Sequence, residues 1–479
     1  MLLSLILIPI IGSILLLPLS STSESSKLQM KNIALITSLI NFFVSINLWF
    51  LFDSSTSQYQ FVSSQIGTFN FGIDATSLIF VLLTTFVTPI AILSNLRSIN
   101  QNLKFFLISF LLLESLQICA FVSLDLILFY IFFESILPIL FLVIILFGHG
   151  KDRIRSANFL FLYTLAGSLP MLLAILYILS HLGTVDFQLI SLYGISPEYQ
   201  YILWLGFFIA FAVKTPLYPF MIWLPKAHGD SPLAGSIILA ATVLKLATYG
   251  YIRVLLGMLP EATHYFSPLI QTIAIVTLIY ASFSTIVQQD TKRLIAYSSV
   301  AHMAVVVLGL FSNTIIGYEG ALLLALAHGW VSPALFICVG GVIYDRTGTR
   351  IINYIRGLAT YMPVFTILFF FFTLANTGIP LTLNFLGEQL SLMGIWQTNP
   401  IIAIIGATSI LLSACYSLLL FNRLSYGNYS PYFPPFKDIN RREYFILISL
   451  LIPTLVFGFI PNTILDLIHS SSLYAIYFG

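Results

Sequence analysis

Charge is what this sequence of 479 residues has least of: Asp, Glu, Lys and Arg make up 8% of it, where a soluble globular chain carries about a quarter. That scarcity leaves no stretch able to fold as a water-soluble domain. Cysteine is nearly absent as well. Cys119, Cys338 and Cys415 each stand alone in an apolar run, which excludes a disulfide framework and a thiolate set for an iron–sulfur cluster. Electrons therefore do not pass through this chain. Strict apolar–polar alternation, the mark of a transmembrane barrel, is missing, so the apolar runs read as helices. The first of them lacks the Arg- and Ser-rich amphipathic character of a mitochondrial presequence and reads as a retained span. A net charge of +2 calls for no acidic or nucleic-acid partner; the partner is the bilayer.

Apolar residues fill that space, at 58% of the chain with a mean hydropathy of +0.99. A helix needs roughly 20 apolar residues to cross about 30 Å of hydrocarbon, and about fourteen such runs follow one another. They fall near 2–18, 30–52, 75–95, 103–123, 125–147, 154–181, 198–222, 231–256, 267–286, 293–312, 315–343, 361–395, 400–422 and 442–463. The basic residues give the orientation, because inward-facing loops are enriched in Lys and Arg. Loops after odd-numbered runs hold seventeen of the 20, from Lys27 and Arg97 to Arg442, and loops after even-numbered runs hold only Arg253. Both termini are thereby expected on the outer side. The two basic residues left over, Lys214 and Lys245, lie inside runs.

They are not the only ionisable groups there. Glu114, Glu134 and Glu388, with His302 and His328, also fall within runs. Each such group costs about 2.5–3.5 kcal/mol on insertion scales and by default marks an ion pathway. Any one of them has an ordinary explanation as a polar contact between helices; seven in one bundle do not. Carboxylate, ammonium and imidazole all exchange protons. One carboxylate–ammonium contact at about 4 Å is worth roughly 4 kcal/mol at an effective dielectric near 20, or about three pH units. Making and breaking such a contact loads and releases a proton.

Two runs carry helix breakers at corresponding places. Lys214-Thr215-Pro216, with Pro219 beyond, interrupts the seventh run, and Gly378-Ile379-Pro380 interrupts the twelfth. Proline removes a backbone donor, and an interrupted helix in a membrane is tolerated where it borders a hydrated cavity. Grouping runs 4–8 and 9–13 as two five-helix units puts the broken helix fourth in each, and an odd number of spans per unit makes the units inverted. The expected organisation is an all-α polytopic membrane protein of about 14 helices: residues 1–100 with three spans, 101–260 and 261–425 as the two repeats, and 426–479 with the last span.

The stretch from Phe211 to Gly250, FAVKTPLYPFMIWLPKAHGDSPLAGSIILAATVLKLATYG, resembles the antiporter-like subunits of respiratory complex I, the NADH:ubiquinone oxidoreductase. So do LFYIFFESILPILFLVI around Glu134, DTKRLIAYSSVAHM next to His302, ALAHGWVSPALFICVGGVIYDR around His328 and NFLGEQL around Glu388. The resemblance covers most of 100–425 and implies a proton relay at mid-depth in the membrane; the richness in Phe, Ile, Leu and Ser points to a mitochondrially encoded chain, and so to the inner mitochondrial membrane. In that reading Glu134 is the acidic partner of Lys214, and Lys245 is the central lysine. Glu388 is the last residue before exit, and Glu114 is a coupling carboxylate toward a neighbouring subunit. Cofactors are implied only elsewhere in the complex: FMN, iron–sulfur clusters and ubiquinone belong to other subunits. The implied partners are other membrane-arm subunits, especially the related chains 2 and 5, and lipids. Those two chains usually carry lysine where Glu388 stands, and chain 5 runs on into a long lateral helix. Met221 stands where a histidine often follows Pro-Phe, and Gly229-Asp230 replaces the usual Val-Glu. A subunit of a multisubunit cation/proton antiporter, which shares the fold, is the alternative reading.

Overall fold

The computed structural model describes every residue except 21, 22, 67, 68, 97, 100, 478 and 479, so Arg97 lies outside the described residues. Among the described residues eleven helices are long and apolar enough to cross a membrane. Labelled with their shorter companions in chain order, the helices are α1 Leu2–Leu16, α2 Glu24–Leu51, α3 Ala75–Asn95, α4 Leu103–Val122, α5 Leu126–Phe147, α6 Arg153–Leu182, α7 Pro197–Lys214, α8 Trp223–Asp230 and α9 Leu233–Leu256. The second half adds α10 Pro260–Val287, α11 Thr291–Leu310, α12 Ile315–Thr347, α13 Pro363–Asn376, α14 Leu383–Thr398, α15 Pro400–Ser425, α16 Arg441–Phe459 and α17 Asn462–Tyr477.

Local sequence explains most of the boundaries. Asp74, Asp125 and Asp290 cap α3, α5 and α11, each carboxylate accepting backbone N–H groups of the first turn that would otherwise lack a partner. Proline opens α7, α10, α13 and α15 at the position where its missing N–H costs nothing. The seventh run is not one helix: α7 stops at Lys214, a short 3₁₀ turn follows at Phe220–Ile222, and α8 completes the crossing. The twelfth divides likewise, with α13 ending at Asn376 and α14 starting at Leu383. Three π-helical segments, Leu239–Val243, Tyr251–Leu256 and Ile337–Ile343, widen α9 and α12, and such widenings recur at functional positions.

Two features of the structure have no counterpart among the expected spans. Gln60–Ile66 and Phe69–Ile73 form an antiparallel hairpin in the loop after α2, and α17 follows the last run. The hairpin is too short to carry a period-two signal, and α17 mixes Asn462, Asp466, His469 and three serines into its apolar face.

Loop contacts follow the parity that the basic residues set. Phe71 bridges Ser123 and Asp125 bridges Asp186, joining loops after even-numbered runs, whereas Asp290 bridges Ile351 between loops after odd-numbered ones. Arg346 and Glu443 form an ion pair of 2.8 Å on the basic side.

A close crossing of α12 and α14 lies in the second half. Gly320 of α12 lies against the backbone of Ser391 in α14, Gly394 lies against Gly317, and a methyl group on Gly387 would stand 2.6 Å from the Leu324 nitrogen. Small residues at this spacing let two backbones touch, which is how helices associate without a hydrophobic driving force.

Candidate functional site

Four of the ionisable residues meet in the middle of the bundle. Lys245 of α9 is fully buried; its ammonium donates to the Ala240 carbonyl at 2.6 Å and lies 2.7 Å from His328 Nδ1. Ala240 belongs to the π segment Leu239–Val243, so the widened turn supplies the carbonyl that holds the lysine. The His328 ring is 6.0 Å from that of His302, centroid to centroid. His302 Nδ1 in turn lies 2.9 Å from Glu388 Oε1, both side chains being 3% exposed. Tyr416 of α15 approaches the other nitrogen, Nε2, at 3.4 Å. The line Lys245–His328–His302–Glu388 thus runs through α9, α12, α11 and α14 with hydrogen bonds at both ends and one wider step between the imidazoles.

The break in the twelfth run is part of this line. Gly378 has φ +70°, and a Cβ there would stand 2.9 Å from Glu388 Oε2. Glycine is needed twice over, for its left-handed conformation and to leave the carboxylate its place. The half-helix α14 starts at Leu383 and ends at Thr398, so Glu388 sits in its second turn with ten residues, about 15 Å of helix, after it.

Lys214 and Glu134 are placed differently from the expected pair. Lys214 is the last residue of α7 and 1% exposed; its ammonium stands 4.3 Å from the centre of the Phe133 ring and has no hydrogen-bond partner in the chain. Glu134, half-buried on α5, leaves Oε1 without a partner. Each feels the other's charge, yet among the described residues no ion pair within 4.0 Å joins them. The aromatic ring next to Glu134 takes the ammonium instead, a cation–π contact that leaves the carboxylate free. Glu114 does not reach the surface. It is fully buried, and Asn41 Nδ2 of α2 donates to its Oε1 at 2.7 Å.

Sequence reasoning passed over His228 and Lys292. His228 of α8 is fully buried, its ring 4.6 Å from that of Phe336, and neither of its nitrogens has a partner in the chain. It lies within electrostatic reach of Lys245, Lys292 and His328. Lys292, counted above with the loop cations, is 2% exposed and donates to the Ser231 carbonyl at 2.6 Å. The signal for His228 was its place in the same motif as Lys214 and Lys245; reading 223–230 as a loop hid it. The departure at Gly229-Asp230 acquires a structural meaning: the Asp230 carbonyl accepts from His149 at 3.0 Å, its carboxylate accepts from Ser156, and Arg350 donates to the Gly229 carbonyl. These bonds fasten the inner end of the broken helix to α6 and to the loop after α12.

No group of three or more His, Cys, Asp or Glu able to hold a metal occurs among the described residues. The geometry suits proton exchange between fixed side chains.

A fold of broken and widened helices around a buried line of Lys, His and Glu defines an antiporter-like membrane subunit. The profile of the family described as NADH:quinone oxidoreductase/Mrp antiporter, transmembrane, matches residues 123–413. Compared with curated proteins, the sequence is 56% identical to NADH-ubiquinone oxidoreductase chain 4 of Mycosarcoma maydis, covering 100% of this chain and 99% of that one. It is 46% identical to the chain 4 of Marchantia polymorpha over 98% and 95%. Among solved structures, a chain of the NADH-bound respiratory complex I from Thermus thermophilus superposes with a TM-score of 0.90 at 27% identity, covering 100% of this chain and 99% of that one. The chain belongs to the NADH-ubiquinone oxidoreductase chain 4 family.

Proposed function

We propose that protons cross this chain along Glu134, Lys214, Lys245, His328, His302 and Glu388, moving from the basic side toward the outer side. The family fixes the setting: the chain is a proton-translocating membrane-arm subunit of complex I, a multi-pass protein of the mitochondrial membrane, and it works beside other membrane-arm subunits. The observation that carries the route is the pair of short contacts, Lys245 to His328 at 2.7 Å and His302 to Glu388 at 2.9 Å. Lys, His and Glu each bind and release a proton, and within hydrogen-bond reach they pass one without moving far. Unpartnered polar atoms on Glu134, Lys214, His328 and Asn384 mark where water completes the line, because buried polar groups are satisfied by protein or by ordered water.

Lys214 unpaired from Glu134, its ammonium over the Phe133 ring, fits one half of a switch. Glu134 drawn onto Lys214 stabilises the ammonium more than the ring does, so breaking that ion pair eases the proton's move toward Lys245. Two inverted five-helix repeats, α4–α9 and α10–α15, place a broken helix fourth in each, within a bundle of fourteen crossings. The related antiporter-like chains 2 and 5 are the neighbours that suit a laterally continuous line. Assembled complex carrying Lys214→Ala is expected to lose most quinone-coupled proton pumping while oxidising NADH with an artificial acceptor at the parent rate. Full pumping by an assembled variant overturns the switch.

Orientation gives a separate expectation. Lys151 and Leu192 are exposed in loops of opposite parity, and seventeen basic residues against one put the first on the matrix side. In sealed mitochondria-derived vesicles, Lys151→Cys and Leu192→Cys should react with an impermeant thiol reagent from opposite faces. Reaction from one face would undo the topology, including the outer placement of both termini.

A further inference from the structure

Helix α2 leaves its apolar side exposed and turns its polar side inward. Ser38, Asn41 and Ser45 recur along one face and are fully buried, Ser45 sharing a hydrogen bond of 2.7 Å with Thr85 of α3. This seam centres on Glu114 of α4. Glu114 takes the Asn41 amide on Oε1, and the Thr88 hydroxyl of α3 interacts with the same carboxylate, while Oε2 and the Asn41 Oδ1 have no hydrogen bond of ordinary geometry in the chain. Three residues on, and so on the same helix face one turn away, Gln117 is also fully buried. The Thr242 hydroxyl lies 3.0 Å from Gln117 Oε1 and 3.0 Å from the Ile238 carbonyl, so its proton is shared between the two, and Gln117 Nε2 has no partner. Thr242 lies inside the π segment Leu239–Val243, the segment whose Ala240 carbonyl holds Lys245.

We propose that Glu114 is a proton-holding group of this chain and that Gln117 is a positioning residue connecting it to the grip on Lys245. A donor and an acceptor left unsatisfied one turn apart form a site for a single water, which needs two to four polar partners. An ionised Glu114 draws that water, and with it the free end of Gln117, toward the carboxylate. A protonated Glu114 offers its O–H and accepts less strongly, so the amide relaxes toward Thr242. Either movement bears on the widened turn that carries Ala240, and so on how firmly the ammonium of Lys245 is held. No bond other than O–H and N–H hydrogen bonds changes. The proton on Glu114 comes from and returns to water in the seam. The N-terminal helices then act on the relay instead of serving only as a flank.

This inference rests on the relay reading above, and the experiment separates the two. In purified complex reconstituted in liposomes, Glu114→Gln and Gln117→Leu should each lower quinone-coupled turnover and pumping about fivefold, the effect of losing one hydrogen bond, with the quinone KM unchanged. Because both cut the same link, the double variant should also fall about fivefold rather than twenty-five-fold. Thr242→Val, which keeps the side-chain volume, breaks the link from the other end and should give the same fivefold loss. Parent rates in Gln117→Leu and Thr242→Val, or a multiplied loss in the double variant, overturn the proposal. Glu388→Gln serves as the reference: slow pumping there with normal Gln117→Leu sinks only the branch, and parent pumping in Glu388→Gln sinks the relay itself.

Discussion

Lys245→Met is expected to cut quinone-coupled proton pumping by at least about tenfold, with NADH oxidation by an artificial acceptor unchanged and the complex assembled. Methionine matches the unbranched stem of lysine and fills apolar space readily, so the fully buried pocket around Lys245 keeps its packing. What disappears is the ammonium between Ala240 and His328. A proton-transfer group placed within hydrogen-bond reach contributes about 10²- to 10⁴-fold, which makes tenfold a lower bound. Lys245→Arg sharpens the test. A guanidinium keeps the positive charge and does not give up its proton, so a residue needed only for charge tolerates arginine and a residue needed to release a proton does not. Pumping by Lys245→Arg near the parent rate would sink the central role given to this lysine.

The second large effect concerns structure. Gly387→Val should prevent the chain from accumulating in assembled complex, read as loss of the band with NADH dehydrogenase activity on a native gel. A side chain at 387 starts 2.6 Å from the backbone nitrogen of Leu324, and backbone cannot step aside as a flexible side chain does. Overpacking of a well-packed core costs about 1–3 kcal/mol, occasionally more, and here it also parts the two helices that carry His328 and Glu388. Gly183→Ala is the contrast. Gly183 has φ +69° and nothing within 4 Å, so alanine there costs about 1–2 kcal/mol of backbone strain and the complex should assemble. Equal outcomes for the two substitutions would mean that the α12–α14 contact is not the close crossing described.

Much of this architecture was legible because lipid leaves little choice. Run 75–95 and helix Ala75–Asn95 coincide, and 103–123 differs from Leu103–Val122 by one residue, since hydropathy changes at both ends of each and Asp74 caps the first. The run 267–286 starts about two turns after the helix Pro260–Val287 does, because Glu261 and His264, both exposed in the helix, make its first turns too polar to read as part of a span. The ionisable residues were visible one by one, and His328, His302 and Glu388 do meet. Their order and contacts were not, since a sequence gives no distances across helices. Glu134 and Lys214 show the limit from the other side: each was identifiable, but that Phe133 receives the ammonium depends on a rotamer choice. Lys292 was misread as a loop cation because its helix starts at Thr291 and packs at once against Ser231.

The glycine-lined crossing of α12 and α14 has an electrical consequence. A charge that falls through a membrane potential of 100 mV gives up about 2.3 kcal/mol, so any continuous file of water through a proton-translocating subunit would drain the stored energy as heat. With Gly317 and Gly320 touching Gly394 and Ser391 backbone to backbone, no room remains along that seam for such a file. The contact that holds α12, with His328, against α14, with Glu388, closes the space between these two helices. Widening the seam by a single methyl group would be felt first as leak, as proton flow back across the bilayer with no NADH oxidised.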